Sequence, residues 1–398
     1  MPARALLTCS ECSADVPSGK AVWSCPACGS LLELRLDPDS LDPEVRSQML
    51  GSAWSISSAP GIWAYGPFIP VDPAAIVSLG EGNTPILPLQ KLGGQIGLQQ
   101  LYAKLEYVAP TGSFKDRGAT ALVSKARALR VTRLVEDSSG NAGASIAAYC
   151  ARAGIGATIY VPASAPEAKK AQIALYGAEV VAVAGTREEV TEAALERCRR
   201  EGAYYGSHNW NPYFLEGTKT FAYEVAAAFD WNPPEHLVMP VGNGSLYLGA
   251  WKGFGELQAF GVLNNRAPRL HVAQATACMP IVDAFERGLE RTAPVATRTT
   301  VAGGISIARP SRGRVILRTL RESGGSAAAV SDDDILTYQR LLASLEGIFC
   351  EPTSAAAFAA LPALLHLGAI RPQDRVLVAI TGIGLKDPDA ILSRVKDE

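Results

Sequence analysis

The segment Pro110-Thr111-Gly112-Ser113-Phe114-Lys115-Asp116-Arg117-Gly118 places a lysine where a helix is predicted to begin. A cation at that end opposes the helix macrodipole. Burial there would lower the amine's pKa and prepare it to form an imine with an aldehyde cofactor. The plainer alternative is a solvated lysine paired with Asp116. A second candidate, Gly242-Asn243-Gly244-Ser245, ends a predicted strand and opens a predicted helix, Tyr247 to Phe260. Small residues let backbone N–H groups approach an anion, and the helix dipole favours negative charge there. An ordinary strand-to-helix turn would have the same composition. The third candidate is Cys9-x2-Cys12, then twelve residues, then Cys25-Pro26-Ala27-Cys28. Two such knuckles can present four thiolates tetrahedrally to a structural zinc ion.

These groups need elements to hold them. β-Branched, continuously apolar runs occur at Arg133 to Glu136, Ala157 to Val161, Glu179 to Val183, Leu237 to Val241, Leu270 to Gln274 and Val376 to Ile380. Such runs suit strands covered on both faces. Between them lie stretches with helical spacing: Ala142 to Ala153, Lys169 to Tyr176, Arg187 to Arg199 and Thr218 to Phe229. Alternation of this kind predicts a doubly wound α/β fold with parallel sheets. Three clusters of small polar residues follow predicted strands: Ser138-Ser139-Gly140-Asn141, Gly242 to Ser245, and Thr381-Gly382-Ile383-Gly384. Ligands bind outside the carboxyl ends of strands in open α/β sheets, so the three loops point to one shared site. The chain divides into a cysteine module (1–35), an irregular arm (36–77) and a catalytic region (78–398). The arm carries Trp54, Trp63, Tyr65 and Phe68, aromatics that favour burial on a surface over a free linker.

The charge balance, 37 basic against 39 acidic residues with a net charge of −2, gives no reason to expect a nucleic acid or membrane partner. The apolar run near the N-terminus is too short for a signal peptide, and no run reaches the ~18 residues of a membrane helix. Cys150, Cys198, Cys278 and Cys350 stand alone in apolar surroundings, which suits a reducing cytoplasm. His208, His236, His271 and His366 show no metal spacing.

Taken in order, Thr-Gly-Ser-Phe-Lys-Asp-Arg-Gly, Ser-Ser-Gly-Asn-Ala-Gly, Val-Gly-Asn-Gly-Ser, Cys-Glu-Pro-Thr-Ser-Ala and Thr-Gly-Ile-Gly-Leu-Lys-Asp resemble the threonine synthase branch of the fold-type II pyridoxal phosphate (PLP) enzymes. The resemblance runs from Ser78 to Asp387. It implies two doubly wound parallel-sheet domains, the smaller (approximately 118–225) inserted in the larger. It implies PLP bound covalently to Lys115 as a Schiff base, with Lys115 also moving protons. Asn141 is then the partner of the cofactor's 3′-hydroxyl, and Gly242, Asn243, Gly244 and Ser245 hold its phosphate. Thr381 matches the residue facing the pyridine nitrogen, where a neutral hydroxyl suits elimination and replacement better than transamination. Ser138 and Ser139 would receive the substrate carboxylate. Glu351 fits a Glu-Pro-x-Ser-Ala segment and is read as a helix cap. Some relatives in this branch carry an N-terminal zinc ribbon, which is the expectation for Cys9, Cys12, Cys25 and Cys28. A homodimer is the expected assembly.

The departures concern the substrate. Threonine synthases act on O-phosphohomoserine and need a second anion site, to which a segment like Asn-Ser-x-Asn-Pro-x-Arg-Leu-Glu-Gly contributes. Here the stretch reads His208-Asn209-Trp210-Asn211-Pro212-Tyr213-Phe214-Leu215-Glu216-Gly217, with Phe214 at the arginine's place. Losing a bidentate phosphate partner costs ~1.5–3 kcal/mol. Ala142 replaces a hydroxyl residue; with His208 and Asn209 it is expected on the substrate side. Arg309, Arg312 and Arg314 could supply a relocated anion site, or form a solvated basic loop. The first expectation is threonine synthase, a step in amino-acid biosynthesis. The alternatives are a threonine or serine ammonia-lyase (dehydratase), or a β-replacement enzyme with a nonphosphorylated substrate. A zinc-ribbon binding protein with an inactive PLP fold is the non-enzyme alternative.

Overall fold

A computed structural model describes residues 4–42, 44–45, 61–264, 267–295 and 298–387. Its N-terminal sheet is antiparallel, ordered β2-β1-β3 from β1 (Ala5–Cys9), β2 (Asp15–Val16) and β3 (Leu32–Leu36). The largest sheet uses β4 (Ile86–Pro88), β5 (Gln100–Leu105), β10 (His236–Pro240), β11 (Arg269–Ala275), β12 (Ala327–Val330) and β13 (Arg375–Ile380). Its order is β12-β11-β10-β13-β5-β4, parallel except for the antiparallel edge strand β4. The third sheet, β8-β7-β6-β9, is parallel throughout and comprises β6 (Arg133–Glu136), β7 (Gly156–Pro162), β8 (Glu179–Val183) and β9 (Tyr204–Tyr205).

The predicted strands all form. Arg133–Glu136 and Glu179–Val183 have the expected bounds, and the other four agree within one residue at each end. In β10 and β13 the apolar side chains are buried on both faces, each worth about 1.5–3 kcal/mol. Three aromatics of the arm, Trp63, Tyr65 and Phe68, are buried as expected, while Trp54 lies outside the described residues. No described helix is long and apolar enough to cross a membrane.

A buried ionic cluster seats the helix Lys115–Ala128. Arg117 spans Glu106 (Nε to Oε2 2.6 Å, Nη2 to Oε1 2.8 Å) and Glu224 (Nη1 to Oε1 and Nη2 to Oε2, both 2.6 Å). Lys104 Nζ donates to Glu224 Oε2 at 2.8 Å and to the Thr84 carbonyl at 2.9 Å. Four charges that would each be costly alone are matched two against two.

The cysteine module is docked on the rest. Leu7, Val16, Leu32 and Leu34 share one buried cluster with Ala119, Leu122, Tyr213 and Phe214. Trp23 packs edge-on against Tyr205 and Trp210, with centroids 4.9 and 5.9 Å away. Lys252 donates to the carbonyl of Leu34.

Candidate active site

Strands β5, β10 and β13 are neighbours, and the chain leaving their carboxyl ends opens on one cavity of about 300 Å³. The chain after β5 leads to Lys115, that after β10 supplies Gly242 to Ser245, and that after β13 supplies Thr381. From the third sheet come Ser138 to Ala142 after β6 and His208 after β9. Asn209 borders an adjoining chamber and not this cavity.

Lys115 Nζ donates to Ser245 Oγ at 3.1 Å. The aromatic rings of Phe114 and Phe214 lie 4.7 and 5.6 Å from the nitrogen. Burial lowers the amine's pKa to about 8, while Glu136 and Glu351 pull it partly back. Roughly a tenth of such amines are neutral at pH 7. The lysine is not paired with Asp116. That carboxylate accepts from the Thr111 amide (2.7 Å), the Thr111 hydroxyl (2.6 Å) and the Ser145 hydroxyl (2.5 Å). Asp116 therefore fastens the helix Asn141–Ala153 and the preceding turn to the lysine's helix, leaving the amine free to face the cavity.

The glycine loop is built for close approach. A Cβ on Gly242 would stand 2.9 Å from Ile307 Cγ1 and 3.1 Å from the Gly304 carbonyl oxygen. Gly244 has φ +77°, and its Cβ would meet Ile316 Cδ1 at 2.7 Å. Only glycine fits both positions. The loop enters the helix Ser245–Ala259, whose first amides carry the positive end of the dipole. The Asn243 side chain is turned outward and accepts from the Ser311 amide at 3.2 Å, so it is the backbone of this residue that joins the cup.

Across the cavity, Glu351 bridges two expected site residues. Asn141 Nδ2 donates to Glu351 Oε2 at 3.0 Å, and the Thr381 hydroxyl donates to Glu351 Oε1 at 3.1 Å. Ser354 completes the wall: its hydroxyl lies 2.9 Å from that of Thr381 and accepts from the amides of Thr381 and Gly382. Burial raises the pKa of Glu351, with Asn141 opposing. The expectation of a helix-capping Glu351 is corrected. It occupies the N-cap of Pro352–Ala359, yet its side chain makes no cap bond and reaches into the cavity wall. No spacing rule could have given that direction.

His208 is fixed from behind by Glu136, whose carboxylate lies 2.8 Å from Nδ1 and accepts from the His208 amide at 3.1 Å. Burial drives the histidine's pKa well down and that of Glu136 well up. Phe214 is fully buried, packed where a Cβ on Gly118 would collide with its ring. Of the three arginines, Arg312 is buried and donates from Nε to the Asn209 carbonyl at 3.0 Å. Arg314 pairs at the surface with Glu11, and Arg309 borders the adjoining chamber. The three do not form one anion site. Two cations unremarked in the sequence, Lys169 and Arg187, do line the central cavity.

The family described as "Pyridoxal-phosphate dependent enzyme" matches residues 77–382. This chain belongs to the pyridoxal-phosphate dependent enzymes. The threonine synthase of Methanocaldococcus jannaschii is 36% identical over 389 residues, spanning 97% of this chain and 94% of that protein. The threonine synthase of Methanosarcina acetivorans is 35% identical over 387 residues, with 97% and 93% covered. Among solved structures, the T.th. threonine deaminase is 28% identical with a TM-score of 0.63, over 75% of this chain and 92% of that one. The processed form of threonine deaminase isoform 2 from Solanum lycopersicum gives a TM-score of 0.68 at 19% identity, over 89% and 88%, a likeness of fold alone.

The family's cofactor suits what the cavity offers. A half-buried amine with a lowered pKa, a glycine cup at a helix start and neutral side-chain hydrogen-bonding groups opposite meet an aldehyde, a phosphate and a heteroaromatic ring. The cysteine module passes a similar test. The Sγ atoms of Cys9, Cys12, Cys25 and Cys28 all lie within 4.8 Å of one another. Pairs are 3.4, 3.6 and 3.7 Å apart, near the ~3.8 Å edge of a tetrahedron with metal–sulfur bonds of ~2.3 Å.

Proposed function

We propose that this enzyme is a threonine synthase, converting O-phosphohomoserine and water to threonine and phosphate. The observation that carries the reading is the Lys115 amine, half-buried at the cavity and held at 3.1 Å by the hydroxyl that closes the glycine cup. The two threonine synthases of comparable length, matched from end to end, support the choice of substrate. When bound, pyridoxal phosphate stabilises negative charge on the α-carbon of an amino acid joined to it, which permits loss of a substituent farther along the chain.

The protein's share follows from its own groups. Gly242, Asn243, Gly244 and Ser245 hold the cofactor phosphate through backbone amides and the Ser245 hydroxyl. Asn141 and Thr381 flank the ring, and Glu351 sets the direction of both. Ser138, Ser139 and the following amides take the substrate carboxylate, with Ala142 and His208 on the substrate side. Lys115, once displaced by the substrate amine, takes and returns protons along the carbon chain. Its lowered pKa keeps a usable fraction neutral near pH 7.

Cys9, Cys12, Cys25 and Cys28 are proposed to hold a structural zinc ion, since four protein thiolates leave no open coordination position. Residues 1–35 are then a zinc ribbon, 36–77 an arm, and 78–398 the catalytic region with an inserted small domain at about 118–225. The assembly proposed is a cytoplasmic homodimer.

A second reading, a threonine or serine ammonia-lyase, is favoured by uncharged Phe214 and by the 28% identical threonine deaminase. Cofactor-loaded protein assayed with O-phosphohomoserine, threonine and serine separates the two. Phosphate release with threonine formed is the expected result. Oxoacid from threonine or serine, with O-phosphohomoserine ignored, would replace it by the second reading. Absence of a lysine-bound cofactor band would refute both.

A further inference from the structure

A crevice of about 380 Å³ lies between the cysteine module and the catalytic region, and it shares no lining residue with the central cavity. Strand β3 forms one wall. It is an edge strand of its sheet, and its Leu34 carbonyl turns away from β1 to accept from Lys252. The facing wall comes from the helices Pro212–Thr218, Ser245–Ala259 and Gly313–Glu322. Leu34, Leu215, Leu248, Trp251 and Val315 give the crevice an apolar body. Ligand sites are commonly built so, with a few placed polar groups completing an apolar lining.

The charges around the crevice are matched, with one exception. Lys252 donates to Glu216, and Lys219 pairs with Glu216 at 2.5 Å and with Glu256 at 2.9 Å. Arg35 pairs with Glu33 at 3.9 Å, and Arg318 with Glu322 at 4.0 Å. Arg312 has no ion-pair partner among the described residues. It is only 4% exposed, and it donates from Nε to the Asn209 carbonyl at 3.0 Å. Its Nη2 is buried and makes no hydrogen bond. Burial lowers its pKa to about 10, with Glu33 opposing, so the guanidinium stays charged at neutral pH. A buried cation without a counter-ion is costly, and buried N–H donors are rarely left unsatisfied. Because Arg312 lines the crevice, an anion that enters can meet its Nη edge.

We propose that the crevice binds a small aliphatic monocarboxylate, its carboxylate on the Nη edge of Arg312 and its hydrocarbon body along Leu34, Leu248, Trp251 and Val315. A carboxylate matches a guanidinium edge with two parallel hydrogen bonds. The rest of the wall is apolar or already ion-paired, so it offers nothing to a second charge. The site lies apart from the amino-acid chemistry and does not depend on the threonine synthase reading.

The test titrates cofactor-loaded protein with hexanoate by calorimetry. Hexanol supplies the same body without the charge, and acetate the charge without the body. Hexanoate should bind once per chain, at least about 10-fold more tightly than either. The cofactor's visible band should not move, since the crevice does not border the central cavity. Arg312→Met should weaken hexanoate about 10- to 100-fold, the factor expected for charge-assisted hydrogen bonds. Arg312→Lys keeps the charge but loses the fork, so it should recover only part of the affinity. Val315→Glu, at a half-buried position on the wall, adds bulk and a like charge and should abolish binding. It keeps the test decisive if the Arg312 variants fold poorly. Binding that shifts the cofactor band, or that Arg312→Met and Val315→Glu leave unchanged, would place hexanoate elsewhere and overturn the proposal. So would a wild type that ignores hexanoate at millimolar concentration, or hexanol that binds as tightly as hexanoate.

Discussion

Replacing Arg117 by methionine tests whether the buried ionic cluster seats the cofactor lysine. Arg117 lies two residues beyond Lys115 on the same helix and is fully buried, satisfying both Glu106 and Glu224. Arg117→Met removes one of two cations and leaves buried Glu106 with none, since Lys104 pairs with Glu224. Breaking such a pair from one side costs about 3–5 kcal/mol. The double variant Arg117→Met, Glu106→Gln removes the orphaned charge as well and should recover at least about 1–2 kcal/mol. Urea unfolding of the cofactor-free proteins at pH 7.5 measures this directly, since bound cofactor would mask part of the difference. A pH signature accompanies it. Desolvation pushes Glu224 up, but Arg117 and Lys104 outweigh it and hold the carboxyl far below its ordinary 4.5. A depressed acid stabilises above its unfolded pKa and loses that contribution as pH falls. The wild type's lead over Arg117→Met should therefore shrink as pH falls below about 4.5. The variant should also bind the cofactor more weakly, because the helix start that aims Lys115 has lost its anchor. Equal stability of wild type and single variant within about 0.5 kcal/mol would refute the argument. So would a double variant no more stable than the single one.

Other expectations are quicker to check. The rate at which apoenzyme captures the cofactor should rise through pH 8 and level above it, because only neutral Lys115 attacks an aldehyde. An inflection near 10.5 in stopped-flow absorbance would show an unperturbed, solvated lysine. Gly242→Ala drives a methyl against Ile307 and the Gly304 carbonyl, so the cup must shift. Cofactor affinity should fall about tenfold or more with the circular dichroism spectrum unchanged, measured by absorbance titration. Cys12→Ser should lower bound zinc from about one per chain toward zero by atomic emission. Trp23 should then become more exposed by fluorescence quenching, since its seat on Tyr205 and Trp210 depends on a folded ribbon.

Much of this site was legible because its parts are loops at the carboxyl ends of strands whose apolar runs are continuous. Where strands broke that pattern, they were missed. The run Gln100-Leu-Tyr-Ala-Lys-Leu105 carries a lysine in its middle, yet it is an interior strand. Lys104 is tolerated there because Glu224, 120 residues away, answers its charge. Ala327–Val330 has three alanines and a single branched side chain, Val330, too weak a strand signal, and is fixed by pairing with β11. Glu351 was seen but given the wrong task, since its direction is set by Asn141 and Thr381 from two other segments. Trp23 could not be assigned a seat either. Its partners come from a segment more than 180 residues on, and only the docked ribbon brings them together.

The dipole rule reaches beyond Lys115. Lys115 drew notice as a cation in the first turn of a helix, where the dipole disfavours it. Lys169 in Glu167–Leu175 and Arg187 in Arg187–Glu201 break the same rule, and both line the cavity. The rule alone is not selective. Lys91 in Gln90–Ile96 and Arg314 in Gly313–Glu322 also stand in first turns, and both are exposed to solvent elsewhere. Topology separates the two groups. Lys115, Lys169 and Arg187 follow the carboxyl ends of β5, β7 and β8, all parallel strands. Lys91 follows the antiparallel edge strand β4, whose end points the other way, and Arg314 follows no strand directly. A cation that opposes a helix dipole is a functional candidate when a parallel strand delivers it, because such a strand ends where ligands bind. Read with that condition, the sequence would have pointed to Lys169 and Arg187 beside Lys115.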